Sequence, residues 1–197
     1  MIEERGMNKA VALVRDIGFV SFGKYGQYVV TAVTLPLIAR VLGPEGLGLL
    51  AIGMSAYFIG SLLVDLGITQ FLAAKVPNSD VNQIRGDYLT IRLTVLGTLG
   101  TALVAGLMLG VDPHVHMILL GLFAGGFWSV SEDWVLIGQG RFVASTVYQG
   151  AGRLAYLALL LVVLPRFPSA SVALLCMLVS SILTVALTWR DSLRKYG

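Results

Sequence analysis

One cysteine in 197 residues, Cys176, leaves no partner for an intramolecular disulfide. Charge is scarce as well. Asp, Glu, Lys and Arg make up 13% of the chain, against about 25% in an ordinary soluble domain. That scarcity leaves no stretch polar enough for a separate soluble domain. Two histidines are present, His114 and His116, and a His-x-His pair with no third ligand nearby argues against a metal centre. No Ser/His/Asp set, no Gly-rich phosphate loop followed by Lys-Ser or Lys-Thr, and no aspartate-rich metal motif is found. The sequence therefore points away from an enzyme and calls for no cofactor. A nucleic-acid partner is not expected either.

What is abundant is apolar surface. The chain is 56% hydrophobic, with a mean hydropathy of +0.83. A membrane-spanning helix needs about 20 predominantly apolar residues. Segments at 17–42, 46–73, 88–110, 115–139, 143–164 and 169–189 qualify, and Gly, Pro or charge marks each break between them. The expectation is an all-α membrane protein. Its six transmembrane helices would form one packed bundle over 17–189, between an N-terminal segment 1–16 and a basic tail 190–197. Glycines such as Gly97, Gly100, Gly121, Gly125, Gly126, Gly150 and Gly152 would let the backbones approach closely.

Lys and Arg set the expected orientation. Arg5, Lys9, Arg15, Lys75, Arg85, Arg141, Arg190, Arg194 and Lys195 flank one side, while Arg40 and Arg166 flank the other. Both termini are thus expected on the cytoplasmic side.

The first span is the anomaly. Ser21, Lys24, Gln27, Thr31 and Thr34 recur at spacings of three and four, so a lipid-compatible helix carries a cationic polar stripe. Pro36 lies within it and reads equally as a simple kink or as a hinge. Lys24, Asp65, Arg92, Glu132, Asp133 and Arg153 are the ionisable residues inside predicted spans. Each costs about 2.5–3.5 kcal/mol at the bilayer centre on insertion scales, so each should face protein or a wet cavity. At a rise of about 1.5 Å per residue all six fall in the cytoplasmic half, Arg92 at roughly 6 Å and Arg153 near 15 Å. Three cations and three anions at similar depth also fit a buried ion-pair network. The stripe beyond Lys24 fits a water-filled path better.

The stretch Pro36-Leu-Ile-Ala-Arg40-Val-Leu-Gly43-Pro44-Glu-Gly-Leu-Gly48 leaves the first helix and opens the second. It resembles the polysaccharide and O-antigen flippases of the multidrug/oligosaccharidyl-lipid/polysaccharide exporter superfamily. Asp65-Leu66-Gly67-Ile68 and Gly138-Gln139-Gly140-Arg141-Phe142 are similar to further junctions of that family. The resemblance covers roughly residues 15–190. It implies transport, by alternating access, of a lipid-linked oligosaccharide across a bacterial or archaeal cytoplasmic membrane, with undecaprenyl pyrophosphate as carrier. On that reading Lys24, Gln27, Thr31, Arg40, Arg92 and Arg153 are the substrate-binding candidates. Asp65, Glu132 and Asp133 are the candidates for a coupling H⁺ or Na⁺. Family members have two six-helix lobes, and this chain supplies spans for one, so a second lobe or a homodimer partner is expected. A multidrug or cation antiporter lobe and a non-transporting scaffold are the competing readings.

Overall fold

The computed structural model describes the backbone of residues 2–76 and 81–196, and the side chains from residue 29 onward except 31, 87 and 196. Lys24, Gln27 and Thr31 therefore lie outside the described side chains. Seven helices follow in order: α1 (Ile2–Asp65), α2 (Thr69–Lys75), α3 (Val81–Leu109), α4 (Pro113–Trp128), α5 (Asp133–Gly138), α6 (Phe142–Val163) and α7 (Ala170–Tyr196). No strand occurs among the described residues.

As one straight rod, the 64 residues of α1 would reach roughly 96 Å, three times a bilayer's hydrocarbon core. It is not one rod. Gly43 has φ 67° and ψ −177°, a backbone region essentially closed to residues with a Cβ. Pro44 follows, where a missing N–H costs nothing at the start of a new helical stretch. Pro36, by contrast, keeps helical dihedrals. The break therefore belongs to the glycine, not to the first proline.

Five helical stretches among the described residues are long and apolar enough to cross a membrane: Ala32–Lys75, Val81–Leu109, Pro113–Gly138, Phe142–Val163 and Ala170–Lys195. The first has 44 residues, about 66 Å at helical rise, and contains Gly43. Helix α1 begins at Ile2, before the expected 17, and α7 runs on to Tyr196, past the expected 189; three further boundaries differ from the sequence reading. The helix expected over 46–73 stops at Asp65, and α2 follows a turn through Leu66 and Gly67, both at positive φ. The helix expected from 88 begins at Val81, inside the polar run. The helix expected over 115–139 divides at Ser129–Glu132 into α4 and α5.

Close backbone contact joins α1 to α4. A Cβ on Gly125 would sit 1.8 Å from the Tyr57 carbonyl oxygen, and one on Gly121 would sit 2.2 Å from that of Gly53. A Cβ on Gly60 would meet the Leu122 carbonyl oxygen at 2.1 Å. This is how helices associate where lipid removes the hydrophobic drive between them. One apolar cluster gathers Ile38, Leu50, Met117, Leu120, Leu160, Leu164 and Leu174 around the Gly43 end. A smaller one, with Leu72, Ala73, Tyr88, Trp134 and Val135, joins α2, α3 and α5 at the opposite end. Large apolar side chains such as Leu62, Met108 and Leu154 point outward, as they must where the solvent is hydrocarbon.

Candidate functional site

At the α2/α5 end, two helices break side by side, and their open carbonyls need partners. Arg92 of α3 reaches both breaks. It is 2% exposed. Its Nη1 donates to the Ser129 carbonyl where α4 ends, and its Nη2 donates to Asp65 where α1 ends. Nη2 also donates to Thr69 Oγ1 at 2.8 Å, and the guanidinium lies 3.7 Å from the Tyr88 ring centroid. Tyr88 in turn donates its hydroxyl to the same Asp65 oxygen at 3.0 Å, and Thr69 donates to it as well. One buried cation thus caps the C-terminus of α4, where positive charge is favoured, and neutralises the carboxylate that ends α1. Only its Nε is buried without an acceptor among the described residues.

Glu132 belongs to a second pair. Arg85 Nε donates to Glu132 Oε2 at 3.1 Å, and Ser192 Oγ donates to the same oxygen at 2.9 Å. Arg85 also reaches Ser192 Oγ at 2.6 Å and Asn82 Oδ1 at 2.9 Å. Trp189 Nε1 donates to the Val130 carbonyl at 3.0 Å, satisfying another group freed by the α4–α5 break. Further out, Arg141 clamps Asp191 with two bonds of 2.5 and 3.2 Å, and Tyr148 joins at 3.2 Å.

Asp133 is different. It is 9% exposed, yet among the described residues no cation stands within ion-pair distance. Its oxygens accept from neutral donors, Ser145 Oγ at 3.1 Å and Gln149 Nε2 at 2.7 Å. Gln149 then offers Oε1 to Arg153 Nη2 at 3.5 Å. Ser145, Gln149 and Arg153 are spaced four apart, so one face of α6 carries the ladder. Arg153 is half-buried, and the Asp133 charge acts on it through space.

Asp65 and Asp133 share a cavity of about 260 Å³ with Ser61, Thr69, Ser129, Ser131, Trp128 and Trp134. That falls just below the roughly 300–1,000 Å³ of small-molecule sites and is too small for a sugar-bearing lipid. At the opposite end, Asp112 caps α4. Its carboxylate accepts from the His114 backbone N–H at 2.8 Å and sits 2.8 Å from His114 Nδ1. The backbone bond first, and the imidazole second, hold the Asp112 carboxyl below its ordinary range.

The sequence candidates thus separate. Asp65 and Arg92 come together, Glu132 goes to Arg85, and Asp133 and Arg153 join through Gln149. Arg40 is exposed three residues before the Gly43 break, away from the cluster. Lys24, Gln27 and Thr31 lie outside the described side chains. Arg85 and Gln149 were missed. Arg85 sat in a run read as loop, whereas the spacing of Gln149 from Ser145 and Arg153 was visible in the sequence.

The chain matches no curated protein and no solved structure. A family model described as polysaccharide biosynthesis protein matches residues 13–196. With several apolar helices of membrane length and a match over nearly its whole length, this multi-pass membrane chain belongs to the polysaccharide biosynthesis protein family.

Proposed function

We propose that the chain is a transport lobe that moves a lipid-linked oligosaccharide, carried on undecaprenyl pyrophosphate, across the cytoplasmic membrane by alternating access. On this reading it has six spans, because the Gly43 break within α1 separates a first span over 17–42 from the stretch that runs on to Lys75. The asymmetry of Lys and Arg puts both termini in the cytoplasm. A second six-helix unit, a further lobe or another copy, faces this one across the path. The family membership supports the pathway.

The observation that carries the reading is Arg153. It is a half-buried cation midway along α6, whose Nη2 donates to the Gln149 carbonyl oxygen at 3.5 Å. An anionic headgroup entering from the cytoplasm needs such a partner once its water is removed. Arg92 serves the frame, while Lys24, Gln27 and Thr31 of α1 extend the polar wall and Arg40 waits at the outer rim. The coupling ion, H⁺ or Na⁺, acts on the carboxylates, and Asp133 is the one without an arginine. Lys24→Glu tests the path: export of surface glycan should fall when the variant replaces the wild type in cells. Wild-type export would overturn the cationic path.

One observation favours a second reading. Asp65 and Asp133 lie beside Trp128 and Trp134 in one cavity, and an acidic, aromatic pocket suits an organic cation. Ethidium efflux from cells carrying the chain would support an antiporter lobe instead.

A further inference from the structure

We infer that Arg190 and Arg194 of α7 form a binding site for the phosphate of an anionic phospholipid, in the leaflet at the C-terminal end of that helix. The inference goes beyond the transport reading and needs only that α7 crosses the membrane.

The packing of α7 decides which way the pair points. Ser181, Thr184, Thr188 and Ser192 are buried at spacings of three and four, so one side of the helix looks into the bundle. There Thr188 Oγ1 accepts from the Glu132 backbone N–H at 3.3 Å, and Ser192 bonds to Arg85 and Glu132. The other side carries Val179, Ile182 and Leu183, which are 51%, 48% and 41% exposed. That side continues through Ala186 to Arg190, Leu193 and Arg194, all exposed. Ten residues of helix rise about 15 Å, half of a hydrocarbon core about 30 Å thick. A lipid chain of one leaflet therefore lies along Val179, Ile182, Leu183 and Ala186, with its headgroup level with the arginines.

The charges around the pair leave it uncompensated. Among the described residues no carboxylate stands within ion-pair distance of Arg190 or Arg194. Asp191, between them in the chain, turns instead to α6, where Arg141 clamps it with two bonds and Tyr148 adds a third. Lys195 reaches the Gln139 side-chain oxygen at 2.8 Å. Two arginines four residues apart have their Cβ atoms about 5–6 Å apart, close enough to meet one phosphate together. Each guanidinium offers that phosphate a pair of parallel, charge-assisted N–H···O bonds. An apolar chain along the helix and an anionic oxygen at its end are the two halves of one amphiphile. A helix C-terminus also favours cations, but that attraction does not discriminate between lipid headgroups. With both arginines exposed, the site is open to the side and suits a phospholipid of the surrounding leaflet, not a cargo that must be enclosed.

Native mass spectrometry of the full chain in detergent, titrated with phosphatidylglycerol or with phosphatidylcholine, tests the site. The wild type should prefer phosphatidylglycerol about 25-fold at its first site, from about fivefold for each arginine near an anionic headgroup. The double variant Arg190→Gln/Arg194→Gln should lose that preference. Arg190→Lys/Arg194→Lys keeps both charges and should keep most of it. Lys75→Gln removes an exposed cation of α2 at the same end, one that lies over the Phe71 ring at 4.6 Å, and should bind as the wild type does. A wild-type preference in the double glutamine variant overturns the site. An equal loss in Lys75→Gln reduces the effect to bulk surface charge and overturns it too. Undecaprenyl pyrophosphate that displaces phosphatidylglycerol at equal concentration would assign the pair to the proposed cargo, and so overturns the phospholipid as occupant. None of these readouts depends on transport, so the site and the transport reading fail separately.

Discussion

Replacing Arg92 with methionine removes the cation that joins two helix ends, and keeps a long apolar side chain in its place. Three partners are stranded at once. Asp65 loses its counter-ion, the Ser129 carbonyl loses its donor, and Tyr88 loses the cation over its ring. Breaking a buried ion pair from one side costs about 3–5 kcal/mol, because the remaining charge stays unpaired. Asp65 keeps a quarter of its side chain exposed, so water recovers part of that, and about 3 kcal/mol is expected for Arg92→Met. Asp65→Asn strands the more deeply buried partner and should cost about as much. The double variant removes both charges. It should be more stable than the sum of the singles by about 0.5–3 kcal/mol, the range for residues in one network. Unfolding of the purified chain in mixed micelles gives the four stabilities, with tryptophan fluorescence as the signal. Trp134 packs edge-on against Tyr88, with ring centroids 6.2 Å apart, and so reports on this end of the bundle. Additive losses, or an Arg92→Met cost below about 1 kcal/mol, would refute the role of Arg92 as the pin of the two breaks.

Gly43→Ala should destabilise by about 1–3 kcal/mol, the cost of holding a Cβ in that backbone region, and a thermal melt in detergent measures it. Gly125→Leu cannot be accommodated without moving α4 from α1, since even a Cβ would lie 1.8 Å from a carbonyl oxygen. It should expose the pair to limited proteolysis, whereas Gly150→Ala, with nothing within 4 Å, should not. Arg141→Ala removes a partly exposed pair with Asp191, and should cost less than about 1 kcal/mol by the same melt. Asp112→Ala should speed hydrogen exchange in the first turn of α4, because its cap is lost. The wild-type cap is fully present above the unfolded carboxyl value. It is lost as pH falls through the lower folded one, so the exchange difference should vanish in strong acid.

The membrane class and the Gly43 break were legible because each rests on local chemistry: apolar length in one case, a Gly-Pro pair in the other. The α4–α5 break was not. Ser129-Val-Ser-Glu132 contains neither Gly nor Pro, and its freed carbonyls are satisfied by Arg92 and Trp189, side chains 37 and 59 residues away. No window of sequence can show that. Arg85 was hidden for a related reason. The helix that carries it starts inside a polar run, where Arg85 turns to Glu132 and Ser192 while Asn82 and Gln83 stay exposed. For the charges, the sequence left ion pairing and a substrate path as rivals. Asp65, Arg92 and Glu132 turn out to be paired, and the Gln149 amide lies between Asp133 and Arg153. The depth count placed all of these near one end but could not say who faces whom, because helix rotation is set by packing.

The central claim is that an anionic lipid headgroup meets Arg153, and surface-glycan export in cells tests it most directly. Arg153→Lys, which keeps the charge, should retain most export. Arg153→Glu should lower it about tenfold or more, as expected when a charge-assisted hydrogen bond is replaced by repulsion. Export at the wild-type level by a stably inserted Arg153→Glu chain would contradict the account.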